Sequence, residues 1–351
     1  MKRRDFIRQA GLAGLATGTA LGAAPAIAAA KIRWKMVTTW PKNFPGLGTG
    51  ANHLAKLIDE MSDGRIQVKV YGSNELVPPF EIFDAVSRGT AEMGHGAAYY
   101  WKGKSEAAQF FSAVPFGLTA QEMNGWLYHG GGMELWTEVY APFGLVPTAA
   151  GNTGVQMGGW FNREINSLAD LKGLKMRIPG LGGEVLHRLG GTPVSLSGGD
   201  IFTSLQSGAI DATEWVGPYN DLAFGLHKAA KYYYYPGWHE PGTTLECFIN
   251  KKAFEALPKD LQSIVLNACK IANQDMLAEY TARNNAALHT LVNEHKVQLR
   301  RFPDEVMSKL KAISDEVVAE IAKKDALSLK VYESFRAYRD QVVAWHDVSE
   351  R

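Results

Sequence analysis

From Ile32 onward the apolar residues fall into short blocks whose spacing alternates between the strand period and the helix period. Ile32 to Thr39 alternates and predicts a strand. Leu47 to Met61 carries Leu54, Leu57, Ile58 and Met61 at helical spacing and stops at Asp63-Gly64. Ile66 to Tyr71 sets Ile66, Val68 and Val70 on one face of a second strand. A helix over about Pro79 to Arg88 ends at Gly89, and Glu92 to Gly94 is a short strand. The style recurs in the middle of the chain. Gly154 to Phe161, Leu174 to Ile178, Pro193 to Leu196 and Ile210 to Trp215 read as strands. Between them lie helices at Ser167 to Leu171, with Ser167 as cap, at Gly182 to Leu189 and at Asp200 to Ser207. Ile82, Phe83, Val86, Gly89 and Glu92 are echoed at a constant offset of 119 by Ile201, Phe202, Leu205, Gly208 and Asp211. This rhythm predicts an α/β protein of two similar lobes. Their expected extents are 31–152 plus about 217–245 for the first and 153–216 plus about 246–300 for the second.

The last third reads as helical. A long amphipathic run extends from Phe254 to about Val292, and Pro303-Asp304 opens a helix to about Ala322. Ala326 to Trp345 places Leu327, Val331, Phe335, Tyr338, Val342 and Trp345 at helical spacing. That apolar face, within a C-terminal helical element at 303–351, packs on its own chain or on a second copy.

Ahead of the first strand, Lys2, Arg3, Arg4 and Arg8 form a basic head around Asp5-Phe6-Ile7. A glycine-rich apolar stretch and Pro25-Ala26-Ile27-Ala28-Ala29-Ala30 follow. This order predicts an export leader over residues 1–30, cleaved after Ala28 or Ala30. Arg3-Arg4 before Phe6-Ile7 has the look of a twin-arginine signal, which exports a folded chain. The apolar run is short and glycine-rich for a bilayer span. The 351 residues carry a net charge of +1, with 46% hydrophobic and 21% charged residues, an ordinary globular composition that gives no argument for a nucleic-acid partner. Cys247 and Cys269 are the two cysteines, expected as buried free thiols, although export would permit one disulfide.

No hydrolase elbow, phosphate loop or HExxH segment occurs, and the nine histidines are scattered. The chemistry-bearing residues sit near predicted strand ends, where open α/β sheets bind ligands. Arg177 lies between Met176 and Ile178 and is followed by Pro179. A guanidinium in such a strand needs an anionic partner: a ligand carboxylate gripped by two parallel hydrogen bonds, or an acid of the protein itself. Glu214 and Glu240 each lie close to a tryptophan, Trp215 and Trp238. Two acids beside an anion-binding arginine make sense with a hard cation between them, for which Gln156 and the backbone oxygen of Trp215 would complete an oxygen set. Each glutamate alone also reads as a solvated surface acid. Tyr219-Asn220 lies at another strand end. Tyr100 in Tyr99-Tyr100-Trp101 is the better pocket aromatic, and the Tyr232 to Tyr235 run reads mainly as core.

Leu168-Ala-Asp-Leu-Lys-Gly-Leu-Lys-Met-Arg177-Ile-Pro179 and Leu205-Gln-Ser-Gly-Ala-Ile-Asp211-Ala, with the residues above, resemble the solute receptors of tripartite ATP-independent periplasmic (TRAP) transporters over the whole mature chain. The resemblance implies a two-lobed periplasmic binding protein fold with a hinge and long C-terminal helices, and no enzymatic activity. It implies that Arg177 binds a substrate carboxylate, with Gln156, Trp215 and Tyr100 also touching the ligand. Glu214-Trp215 is similar to the 2-oxoacid subgroup. There, Gln156, Glu214, Trp215 and Glu240 would hold sodium, with calcium as the alternative. The implied partners are a small carboxylate such as pyruvate, the transporter's membrane subunits and a second copy exchanging its last helix. A metal-dependent enzyme acting on 2-oxoacids would use the same residues but lacks an evident general base. A ligand-binding sensor subunit would share the site.

Overall fold

The computed structural model describes residues 31–349; the expected leader at 1–30 lies outside the described residues. Ile32–Thr38 (β1) and Ile66–Tyr71 (β2) run parallel, with Ile32 opposite Ile66 and Val37 opposite Tyr71. The helix Leu47–Met61 crosses between them and buries Leu47, Ala51, Leu54, Ala55 and Ile58, one face at helical spacing. Helix Ile82–Ser87 leads to Met93–Gly96 (β3), parallel to β1 on its other side. Leu145–Asn152 (β4) and Thr244–Asn250 (β10) complete a sheet of order β2-β1-β3-β10-β4, in which β10 is antiparallel to both neighbours.

The second sheet comprises Gly159–Phe161 (β5), Lys175–Arg177 (β6), Thr192–Val194 (β7), Ala212–Thr213 (β8), Tyr232–Tyr235 (β9) and Gln298–Arg301 (β11), in the order β11-β9-β5-β8-β6-β7. Apart from β11 it repeats the first: β7-β6-β8-β5-β9 against β2-β1-β3-β10-β4. The echo seen in the sequence falls on equivalent places. Helix Ile82–Ser87 precedes β3 and helix Gly198–Gln206 precedes β8, and the intervening Gly89 and Gly208 have φ of 80° and 76°, where glycine is unstrained.

Two expected lobe assignments are reversed. Tyr232–Tyr235, expected in the first lobe, pairs with β5 and β11 of the second sheet. Thr244–Asn250, of which residues 246 onward were expected in the second lobe, is the penultimate strand of the first. Both strands are short and largely buried, so their hydropathy carries no face signal, and only the ladder hydrogen bonds decide which sheet takes them. The chain therefore crosses between sheets three times, from Asn152 to Gly159, from Tyr235 to Thr244 and, through the long helix that follows, from Asn250 to Gln298. Two expected strands are also shorter. Gly154 to Phe161 begins pairing only at Gly159, because Gly154 (φ 69°) turns the backbone into the first crossing, and Ile210 to Trp215 is paired only at Ala212–Thr213.

The expected run from Phe254 breaks at Pro258 into Lys251–Glu255 and the 35-residue helix Lys259–Asn293. At 1.5 Å per residue the latter is about 52 Å long. Its first half packs Leu261, Val265, Ala268 and Cys269 with Trp34, Met36, Cys247 and Ile249 of the first sheet. Its second half packs Tyr280 and Leu291 with Trp160 and Tyr233 of the second. Cys247 and Cys269 are free and buried. Helix Asp304–Ala322 packs on helix Gly180–Arg188, and Phe335 of the last helix, Ala326–Ser349, meets the Trp126 ring edge-on at 5.2 Å. The far end of that helix keeps Trp345 and Val348 exposed. No helix among the described residues is long and apolar enough to cross a membrane.

Glu246, in the middle of β10, is fully buried and accepts hydrogen bonds from Trp101 Nε1 and, at 2.7 Å, from Tyr140 Oη. Burial pushes its pKa from 4.5 up to about 8, against the lowering effect of the two donors. The folded state thus holds a proton that the unfolded chain releases at lower pH, so this group's contribution to stability declines as pH rises from about 4.5 to about 8. Thermal unfolding followed from pH 5 to pH 8 should show a smaller decline in midpoint for Glu246→Gln than for the wild type.

Candidate functional site

The first two crossings run side by side. Thr153 N donates to Thr243 O at 3.0 Å, Gln156 N to Glu240 O at 3.1 Å and Gly158 N to Tyr234 O at 2.8 Å. This pairing holds Gln156 and Glu240 together at the junction of the two sheets. Thr243 Oγ1 donates to Glu240 Oε2 at 2.6 Å and accepts from Gln156 Nε2 at 3.3 Å, and Thr153 Oγ1 accepts from the same amide at 3.2 Å. The amide nitrogen is therefore engaged while Gln156 Oε1, buried, has no hydrogen-bond partner.

Arg177 ends β6, and Glu214 immediately follows β8, the neighbouring parallel strand, so the two face one another across one ladder step. Both side chains are buried and paired through Arg177 Nη1 and Glu214 Oε1. Arg177 Nε also donates to Leu196 O at 3.3 Å and Nη2 to Tyr100 Oη at 3.2 Å, and the guanidinium lies 5.3 Å from the Trp215 ring centre. Burial opposes the charge of Arg177, but Glu214, the two tyrosines and Glu240 around it outweigh that and hold its pKa above the ordinary arginine value. The second oxygen of Glu214 has no hydrogen-bond partner and lies 3.5 Å from His239 Nε2. Glu240 is pushed up to about 7, first by burial and then by Glu214.

One arginine therefore faces two buried acids. Glu214, His239 and Glu240 bring one ligand atom each within 4.8 Å of one another. Two acids with one guanidinium, plus the bare oxygens of Gln156 and Glu214, form a set that a hard cation fits. Beside it, Trp40, Leu47, Tyr100, Gln156, Trp215 and Leu245 line a cavity of about 10 Å³, room for about one water molecule. That is far below the roughly 300–1,000 Å³ of drug-sized sites, so the walls must part to admit any ligand. A larger open groove along Lys259–Asn293, lined by His53, Tyr219 and Arg283, shares none of these side chains.

The model of the family described as bacterial extracellular solute-binding protein, family 7 (DctP), matches residues 36–325. The chain belongs to this family. A monocarboxylate 2-oxoacid-binding periplasmic protein of a Nostoc species is 45% identical over all of this chain and 97% of its own length. Among solved structures, a TRAP solute-binding protein of Pseudoalteromonas atlantica with bound sodium and pyruvate is 46% identical. It superposes with a TM-score of 0.89 over 91% of this chain and 97% of that one. One from Colwellia psychrerythraea with bound calcium and pyruvate is also 46% identical, with a TM-score of 0.88 over 92% and 98%.

In this family 7 protein the six residues singled out from sequence, Tyr100, Gln156, Arg177, Glu214, Trp215 and Glu240, lie in one connected cluster. Of the two partners foreseen for Arg177, the structure shows the acid of the protein itself, Glu214. Tyr219 and Asn220 lie elsewhere: Tyr219 Oη bonds Glu279 and Asn220 Oδ1 accepts from Tyr280, both on the long helix. Sequence reading gave no role to His239, Trp40, Thr153 or Thr243. The adjacency of His239 to Glu240 was the available signal; Trp40 has none, because 175 residues separate it from the Trp215 ring it meets at 6.4 Å.

The crossing also explains Gly237. A Cβ there would lie 2.0 Å from the backbone oxygen of Gln156. Gly237→Ala must push the two crossings apart, at a cost of about 1–3 kcal/mol as for other overpacked sites. Denaturant unfolding should register that loss, with a parallel loss of ligand affinity as Gln156 moves.

Proposed function

We propose that this protein is the periplasmic receptor of a TRAP transporter and that it binds a short 2-oxoacid such as pyruvate together with a sodium or calcium ion. The observation that carries this reading is the buried cluster itself: one guanidinium, two acids and two bare oxygen atoms at a small aromatic-walled cavity. Relatives at 46% identity that hold pyruvate with sodium or calcium support it.

Glu214, Glu240, Gln156 and the backbone oxygen of Trp215 would hold the ion, which supplies the positive charge that two buried acids and an anionic ligand require. Glu214 shares its charge with Arg177 in the structure. An ion held by Glu214 would compete with the guanidinium for its charge and leave the planar fork of Arg177 to the ligand carboxylate. Neither half of the buried pair is then left uncompensated. The exchange makes ligand and ion affinities mutually dependent, by the reciprocity of linked equilibria. Tyr100 and the Trp215 ring flank the guanidinium and shape the ligand space. Closing the lobes at the two crossings would exclude water and strengthen every charged contact inside. The closed form is the surface offered to the membrane subunits. Export through the leader at residues 1–30, with Arg3-Arg4 as its twin-arginine signal, belongs to the same reading.

Calorimetric titration of ligand-stripped protein with pyruvate should show binding that needs sodium or calcium. Arg177→Ala should weaken it about a hundredfold or more, as for other truncated buried charge pairs. Pyruvate affinity that is independent of both ions and of Arg177 would overturn the assignment.

A homodimer is the further part of the proposal. The first half of Ala326–Ser349 buries Val331 and Phe335 in its own chain, whereas Trp345 and Val348 are 63% and 81% exposed. Truncation after Asp340 keeps the buried half and removes the exposed one. Sedimentation should change from dimer to monomer; a truncated protein that still sediments as a dimer removes this role.

A further inference from the structure

Two indoles meet at the cavity beside the charged cluster, and they are held differently. Trp215 Nε1 is buried with no hydrogen-bond partner. Trp40 Nε1 donates to His95 Nδ1 at 2.8 Å, and His95 Nε2 lies 3.3 Å from Ala150 O. An indole nitrogen only donates, so Nδ1 of His95 must accept, the ring proton sits on Nε2, and that N–H is left for the carbonyl. His95 is fully buried, and burial lowers its pKa to about 4, so the ring stays neutral near neutral pH and keeps this arrangement. The backbone of Trp40 is fixed as well, because its carbonyl accepts from Ser73 N at 2.8 Å. Trp40 is thus tied at its main chain and at the tip of its side chain.

Tyr100 and Trp215 join the cavity to Arg177, whereas Trp40, Leu47 and Leu245 offer it apolar surface alone. These three come from the first sheet and the helix that follows its first strand. A 2-oxoacid carries its carboxylate and keto oxygen at one end. Arg177 and the ion take that end, which leaves the alkyl chain to the apolar surface. We propose that Trp40, held in place by His95, sets the length of 2-oxoacid that the receptor accepts, admitting short chains and turning away long ones. This rests on the receptor reading above and extends it to the choice among 2-oxoacids. A leucine can change rotamer to make room. The Trp40 indole cannot swing aside without leaving its own N–H and the acceptor of His95 unpaired in the core. Each methylene added to the ligand therefore meets a wall that does not retreat. His95 touches no ligand atom and is a positioning residue that acts through Trp40. Ordinary core packing, with no bearing on ligand length, is the competing role of the pair.

The test is calorimetric titration of the ligand-stripped protein, with sodium and calcium both present, using pyruvate and the unbranched six-carbon 2-oxohexanoate. The wild type should bind pyruvate more tightly by about tenfold or more, the discrimination that even one methylene can bring in an apolar pocket. Trp40→Leu should lose most of that preference by gaining affinity for 2-oxohexanoate. His95→Leu, which removes the acceptor, should lose it too. His95→Gln keeps an acceptor for the indole and a donor for the carbonyl, and should restore the preference. The readout is a ratio of two ligands within one variant, so a general loss of stability cancels from it. Equal affinity of the wild type for both acids, which needs no variant to observe, would overturn the proposal. So would a preference unchanged in Trp40→Leu. A preference that is the same in His95→Leu as in His95→Gln would remove His95 from it. Any of these results alongside tight pyruvate binding leaves the receptor reading standing, whereas a wild type that binds neither acid sinks both.

Discussion

A buried arginine that cannot satisfy all the acids around it governs this structure. Arg177 is paired with Glu214, but Glu240 is enclosed in the same cluster and has no cation of the protein to itself. Isolated charges are costly in such a place, so the arrangement is stable only with shared partners, hydrogen bonds such as that from Thr243, and a pKa of Glu240 near neutrality. The proposed ion and anionic ligand would answer the same deficit together. Binding and electrostatic strain are thus two views of one charge imbalance.

The fold keeps that imbalance in position on two short segments by which the chain crosses between two similar sheets. The crossings are hydrogen-bonded to each other, and Gln156 and Glu240 lie on them, while Arg177 and Glu214 come from adjacent strand ends of the second sheet. The helix Lys259–Asn293 lies against both cores and braces the junction from behind. Residues at a crossing are held by both sheets, which suits a site whose ligands must come together as the lobes close.

A second regularity concerns the aromatic wall. His95 accepts from the Trp40 indole, Glu246 from Trp101 and Tyr140, and Asp221 from Trp160 at 3.0 Å and Tyr233 at 2.7 Å. Each buried acceptor satisfies the polar atom of a large ring, so the rings stand in fixed orientations instead of packing as a loose apolar core. Trp40 lines the cavity directly, and Trp101 anchors the turn that carries Tyr100. Rings held in this way give the ligand space a defined shape without help from the ligand.

Much of this was legible in the chain. Local spacing determined the helix Leu47–Met61 and the strand Ile66–Tyr71 to the residue, because an amphipathic face is written directly in periodicity. The repeat around Gly89 and Gly208 and the need of Arg177 for an anionic partner also followed from residue type and place. Tertiary structure alone decided the rest. Strands β9 and β10 are mostly enclosed and have no telling period, so only ladder partners could assign them to their sheets. His239 resembled any scattered histidine until the second crossing set it 3.5 Å from Glu214, and Trp40 belonged to the site only once distant segments met. Periodicity reports which side of an element faces the interior; which partner waits there is a property of long-range contacts, and these no local pattern encodes.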